Sequence, residues 1–220
     1  MRETSIAATS IAEKPGSGLG DLGVVRVPSA LSMRLADRTH LDTHRAFLLA
    51  RRQFVAGERI DMGNLASHFG VDRTSLFRWV GNRDALLSEL LWSLAVPSFN
   101  RVERETAGIG GARIAEILGT FAGTLIAADY FRAFLAREPA RALRLLTTTD
   151  SSIQRRFVAV VEELVRRELG DRLPIGMQPH DLAYLLVRVS ESFTYSDLIT
   201  GETPSSERAG VTFAFVLRGM

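Results

Sequence analysis

The sequence predicts an all-α fold, and three observations predict it. Apolar residues recur at helical spacing from Leu41 to the C-terminus, and no stretch after residue 40 needs a strand. Glycine and proline punctuate that pattern at Gly57, Gly70, Gly81, Gly170, Pro179 and Pro204. Asp61, Asp72 and Asn82 each stand directly before a periodic run, where a short side-chain oxygen satisfies the first free N–H groups of a helix. Three short helices, then a larger helical bundle, are the expected architecture.

Residues 1–33 carry little periodicity and crowd Gly16, Gly18, Gly20 and Gly23 behind Pro15, which reads as a flexible arm. Gly18 to Gly23 spells G-x-G-x-x-G, but a dinucleotide loop needs a strand before it and a helix after it, and neither is there. The first helix is expected from about Leu41 to Ala56, with Phe47, Ala50 and Phe54 on one stripe and Gly57 as its stop. His40 and His44, with Asp37, have a spacing a helix could use for metal, yet polar residues at a helix start are ordinary, and no metal site is expected.

Asp61 opens a second helix with Met62, Leu65, Ala66 and Phe69 on one face, and Gly70 breaks it. Asp72 opens a third, through Val80. At about 100° per residue, Leu76 and Val80 point one way while Thr74, Ser75 and Arg78 point the other, with Phe77 and Trp79 on the flanks. This suits a helix laid in a major groove: arginine grips guanine, Thr74 and Ser75 reach bases, and the flanks meet phosphates. Asn82, capping the next helix, presents N–H groups beside Arg83 for a phosphate. The candidate DNA contacts are Arg73, Thr74, Ser75, Phe77, Arg78, Trp79, Asn82 and Arg83. A plain helical hairpin with solvated arginines is the alternative.

VDRTSLFRWVGNRDALLSELL resembles the TetR-type one-component transcriptional regulators of bacteria, in the stretch that runs from recognition helix into the fourth helix. Leu76 to Arg83 further resembles a subgroup associated with control of lactone quorum-signal breakdown. Two positions depart from the family pattern, which commonly has Tyr at Phe77, its hydroxyl on a phosphate, and Phe at Val80. The resemblance implies an N-terminal three-helix DNA-binding domain with a helix-turn-helix, followed by a larger ligand-binding and dimerisation bundle. It also implies a homodimer through the last two long helices, with two recognition helices roughly 34 Å apart on a pseudopalindromic operator.

The fourth helix starts at Asn82, buries Leu86, Leu87, Leu90, Leu91 and Leu94, and is expected to be disturbed at Pro97. Gly108 to Gly111 reads as a loop. Ile114, Ile117, Leu118, Phe121, Leu125 and Ile126 then make an apolar helix, followed by short helices over Tyr130–Arg137 and Ala140–Leu146. Ser151 and Gln154 have capping-box spacing before a helix to Leu169. Pro179 starts a helix from about His180 to Ile199, and Thr203-Pro204 opens the last. The expected domains are the arm (1–33), the DNA-binding domain (34–91), and the ligand-binding and dimerisation domain (92–220). The last two long helices carry more apolar surface than one chain easily covers, which also favours a dimer.

Composition narrows function. With 220 residues and 46% hydrophobic content there is enough chain for a substantial core. There is no cysteine, so thiol catalysis and cysteine-ligated zinc are excluded, and a reducing cytoplasm fits. No secretory signal or membrane span is legible. Residues 34–92 hold nine basic and seven acidic groups, while 1–33 hold three of each and 93–220 fifteen of each, so all of the net charge of +2 sits around the hairpin.

No nucleophile pairs with a base at a recognisable spacing, so no catalytic residue and no cofactor is expected. Trp92, Phe121, Leu125, Phe134 and Phe157 are candidate pocket walls, and Tyr184 and Arg188 candidate polar contacts on a stripe with His180 and Glu191. The expected function is a homodimeric repressor released from its operator by a small, largely apolar molecule. A helical interaction protein that has lost operator binding, and a small-molecule enzyme in the C-terminal bundle, are the rival readings.

Overall fold

The structure is a computed structural model that describes residues 28–37 and 39–220. The glycine-rich segment and its G-x-G-x-x-G spelling lie outside the described residues. Among those described the secondary structure is helical throughout: α1 (Ala30–Ala36), α2 (Leu41–Val55), α3 (Met62–His68), α4 (Arg73–Val80), α5 (Arg83–Glu105), α6 (Gly110–Ile126), α7 (Asp129–Arg137), α8 (Pro139–Thr147), α9 (Ile153–Leu169), α10 (Pro179–Thr194), α11 (Ser196–Ile199) and α12 (Ser206–Val216). The all-α expectation is met.

Helix α1 begins inside the stretch read from sequence as arm. Its seven residues offer only Leu31 and Leu35 as a periodic signal, but Ser29 and Ser32 form a reciprocal capping box and both leucines are buried. Helix α5 runs unbroken through Pro97, contrary to the expected disturbance. Pro97 is exposed and forfeits one bond to the preceding turn, while Phe99 and Val102 beyond it are buried in the C-terminal core and hold the helix on course.

Gly110 and Gly111 are the first residues of α6 and not loop. A β-carbon on Gly111 would stand 2.5 Å from the Leu217 carbonyl oxygen, and one on Gly119 would stand 3.2 Å from the Gly210 Cα, so these glycines let α6 and α12 pack backbone against backbone. The Ser151–Gln154 capping box does not form: the Ser151 hydroxyl donates instead to the Leu145 carbonyl, and α9 starts at Ile153 without a side-chain cap. The helix expected to reach Ile199 is two, α10 and α11, because the chain turns at Tyr195 to bury that ring 6.1 Å from Phe131.

Two apolar cores result. The first joins α1 to α4 and the start of α5 with Phe131, Phe134 and Leu135 of α7, Ala142, Leu145 and Leu146 of α8, and Tyr195. The second is built from the end of α5 with α6, α9, α10 and α12. Among the described residues no single helix is long and apolar enough to cross a membrane.

Candidate nucleic-acid interface and pocket

The interface is built by three caps. Asp61 Oδ1 accepts from the N–H groups of Gly63 and Asn64, at 2.8 and 2.9 Å, and fixes the start of α3. Gly70, at φ 64°, turns the chain, and Asp72 Oδ1 accepts from Ser75 N at 2.8 Å to start α4. Asn82 Oδ1 accepts from Ala85 N at 2.8 Å and starts α5. The backbone N–H of Asn64 holds the Asp61 carboxyl, and that of Ser75 the Asp72 carboxyl, below the usual carboxylate range, so both caps stay ionised at neutral pH.

Leu76 and Val80 anchor α4 in the first core with no exposed surface. That leaves Arg73, Thr74, Phe77 and Arg78 facing outward, with Phe77 at 43% exposure. Ser75 is half-buried, its hydroxyl donating to Asp72 and accepting from Arg78 Nη2 at 3.2 Å, so it poises the Arg78 guanidinium. Trp79 is half-buried and meets Phe69 edge-on at 6.1 Å, which makes it a brace between α3 and α4. Asn82 is exposed but its side-chain oxygen is engaged as a cap.

Arg83 is placed elsewhere than expected. Its Nε donates to the Ile60 carbonyl at 2.6 Å, and its two terminal nitrogens grip Glu138 at 2.6 and 2.5 Å. Glu138, 13% exposed, sits at the α7–α8 elbow, and hydrogen bonding from Arg83 holds its carboxyl below the usual range. Next to it Asp84 pairs with Arg141 and Arg144, and Arg137 donates to the Gly57 carbonyl. The guanidinium of this candidate DNA contact is half of a bolt between the α2–α3 turn, α5 and the C-terminal helices. Its partner lies 55 residues away, and no local signal reveals it.

The pocket lies where the two cores meet. A cavity of about 60 Å³ is walled by Trp92, Phe121, Leu125 and Phe157 together with Leu91, Phe131 and Tyr195. Phe121 and Phe157 stand 5.5 Å apart, and each contacts Phe99. Four of the sequence candidates thus share one cavity. Phe134 does not line it and packs 5.6 Å from Phe54 in the first core. Tyr184 is about half exposed two turns before Glu191 on α10 and does not line the cavity. Arg188 is outside the lining, but its Nη1 lies 2.7 Å from Oε2 of Glu191, which is in it.

Glu191 is the polar residue that sequence singled out only as a neighbour. Burial pushes its carboxyl up to about 7 although Arg188 pulls the other way. Burial also pushes the Tyr195 hydroxyl well above its ordinary value. Gln154 and Ser190 complete the polar lining. Among the described residues no three His, Asp or Glu side chains are grouped to hold a metal.

Comparison with known proteins agrees with this geometry. Residues 109–218 match the family model described as tetracyclin repressor-like, C-terminal domain. No curated protein matches. Among solved structures the chain is similar to the R. erythropolis transcriptional repressor QsdR from the TetR family, with 29% identity and a TM-score of 0.72 over 81% of this chain and 95% of that one. A helix-turn-helix with an outward arginine row, a long connecting helix and a C-terminal bundle that matches the family's own model make this chain a member of the TetR family of transcriptional regulators.

Proposed function

We propose that the protein is a homodimeric transcriptional repressor whose α4 reads a pseudopalindromic operator and whose pocket takes a small, largely apolar effector that releases it. The observation that carries this is the position of the cavity. It sits between the core that contains α4 and the core of the C-terminal bundle, so a molecule that fills it separates or tightens the two. Arg73, Thr74, Phe77 and Arg78 are the contacts best supported on the DNA side, with Asn82 bringing the first N–H groups of α5 to the backbone. Phe77 presents a ring edge where a phosphate-bonding hydroxyl would be usual for the family, so backbone grip falls more heavily on the arginines.

Dimerisation is supported by the exposed Tyr184 and Leu185 of α10 and Val211 and Phe215 of α12, an apolar surface that a second copy covers. The setting is the bacterial cytoplasm, where the operator is. The likeness of Leu76 to Arg83 to the subgroup tied to lactone-signal breakdown makes acyl lactones the first effectors to try. The test is fluorescence anisotropy of the protein on DNA upstream of its own gene and its neighbours, against scrambled competitor, followed by addition of lactones and other apolar molecules. Competitor-resistant nanomolar binding that a pocket ligand reverses is the expected result. Binding no better than to scrambled DNA favours the interaction-protein reading, and turnover of any ligand favours an enzyme.

A further inference from the structure

Helix α1 touches both the pocket's support and the recognition helix. Arg156 of α9 and Glu89 of α5 form an ion pair with 1% and 2% of their side chains exposed, with Nη1 donating to Oε2 at 3.0 Å and Nη2 2.9 Å from Oε1. The pair is continuous with the cap of α1. Ser29 Oγ donates to Glu89 Oε1 at 2.5 Å, Arg156 Nη2 donates to Ser32 Oγ at 3.3 Å, and the two serines bond each other in the capping box. On the pocket side, the Arg156 guanidinium stands 5.5 Å from the ring centre of Trp92, a pocket wall. Gln154 and Phe157, flanking Arg156 on α9, line the same cavity. At its other end α1 reaches the reader: Arg34 Nε donates to the Trp79 carbonyl at 3.0 Å, beside the last residue of α4. Thr43 of α2 shares that carbonyl at 3.3 Å.

We propose that the Glu89–Arg156 pair and α1 form a coupling route that leaves α5 at Glu89 and carries a change at the Trp92 wall through Ser29 and Ser32 to Arg34 and so to the C-terminal end of the recognition helix. The proposal rests on the reading of the pocket as the effector site. Physical considerations favour coupling over mere stability. A buried ion pair costs desolvation that an apolar pair would not, so it adds little net stability, but its hydrogen bonds are directional and fail together when one partner shifts. Displacement of the Trp92 ring moves the cation stacked on it, and that cation is bonded to both α5 and α1. Helix α1 is short and is held by this network at one end and by Arg34 at the other, so it follows as a unit.

The experiment uses straight-chain alcohols from hexanol to dodecanol as pocket probes on the full-length protein, with hydrogen–deuterium exchange read along the chain. In the wild type, the best-binding alcohol is expected to change protection at Leu91–Ala95 and the start of α9, and also at α1 and α4. The double variant Glu89→Gln with Arg156→Met removes both charges at similar volume, and is expected to bind the alcohol within about threefold, keep the response at the pocket walls, and lose it at α1 and α4. Arg34→Ala, which leaves the buried pair intact, is expected to keep the α1 response and diminish that of α4. Loss of only the α4 response in Arg34→Ala keeps the proposal testable if the double variant does not fold. Undiminished responses of α1 and α4 in both variants overturn the proposal while leaving the pocket reading in place. Failure of every alcohol to bind the wild type, whether by quenching of Trp92 or by calorimetry, removes the pocket reading and the coupling route with it.

Discussion

The two cores of this molecule are held together by different means, and the contrast explains how a reader can be attached firmly and still be adjustable. In the C-terminal core, α6 and α12 approach through Gly111 and Gly119 so closely that a β-carbon on Gly111 would collide with backbone, and Phe213 is wholly buried between them. Such packing has one good arrangement. The first core instead crosses from the reader into α7 and α8, and it is clamped by charge: at its rim Arg83 with Glu138 and Asp84 with Arg141 and Arg144, and in its interior Glu89 with Arg156. Those ties are directional, and one of them reaches the cavity, because the Arg156 guanidinium stacks on Trp92, a cavity wall. Reader and α7–α8 form one packed unit, and the pocket marks its boundary with the rest of the bundle.

The comparison breaks first at the C-terminal core. Phe213→Ala is expected to cost about 4 kcal/mol in urea unfolding, because the helices around it are locked by backbone contact and cannot collapse into the space. A loss under about 1 kcal/mol would show that this core is as adaptable as the first.

The charged rim is tested next. Glu138→Gln leaves Arg83, 15% exposed, without its carboxylate and is expected to cost about 2 kcal/mol. Glu138 has its carboxyl depressed in the folded state, so its contribution is present above the ordinary carboxylate value of 4.5 and is lost as pH falls through the lower folded value. The wild type is therefore expected to lose its advantage over Glu138→Gln on acidification, as followed by unfolding at a series of pH values.

The sign reverses at Glu191. Its folded value is raised from 4.5 to about 7, so the stability associated with the protonated form is complete below 4.5 and disappears as pH rises through about 7. Glu191→Gln keeps a neutral group there at every pH. The wild type is expected to fall by about 1 to 3 kcal/mol relative to the variant between pH 4.5 and pH 8, with Arg188 setting how much of the shift is felt. A constant difference across that range would show that the Glu191 carboxyl is not raised in the folded state. Smallest in stability is Arg78→Ala, exposed on α4, with an expected change within about 0.5 kcal/mol by the same unfolding measurement.

These contrasts follow what a sequence can carry. The caps at Asp61, Asp72 and Asn82 were legible because a cap is a contact over two or three residues. The face of α4 was legible for the same reason: Leu76 and Val80 set its phase, and the outward row follows. Helix α1 was not, because two leucines in seven residues are too few to establish a period, and its capping box uses Ser where Glu or Gln is usual at the third position. Arg83 and Glu138 meet across 55 residues, so their pairing depends on the tertiary path of α7 and α8. Pocket and core aromatics look alike in sequence. Phe157 and Phe134 both sit at apolar helical positions, and only the direction of their helices sends one to the cavity and the other against Phe54.

The most direct test of the account is the division of labour between Arg78 and Arg83, measured as the salt dependence of anisotropy titrations on operator and scrambled DNA for wild type, Arg78→Ala and Arg83→Gln. The account predicts that Arg78→Ala loses about 1 to 3 kcal/mol of operator discrimination, while Arg83→Gln keeps the wild-type salt slope because that guanidinium faces Glu138 and not a phosphate. A slope shallower by about one for Arg83→Gln, with discrimination intact in Arg78→Ala, would contradict it.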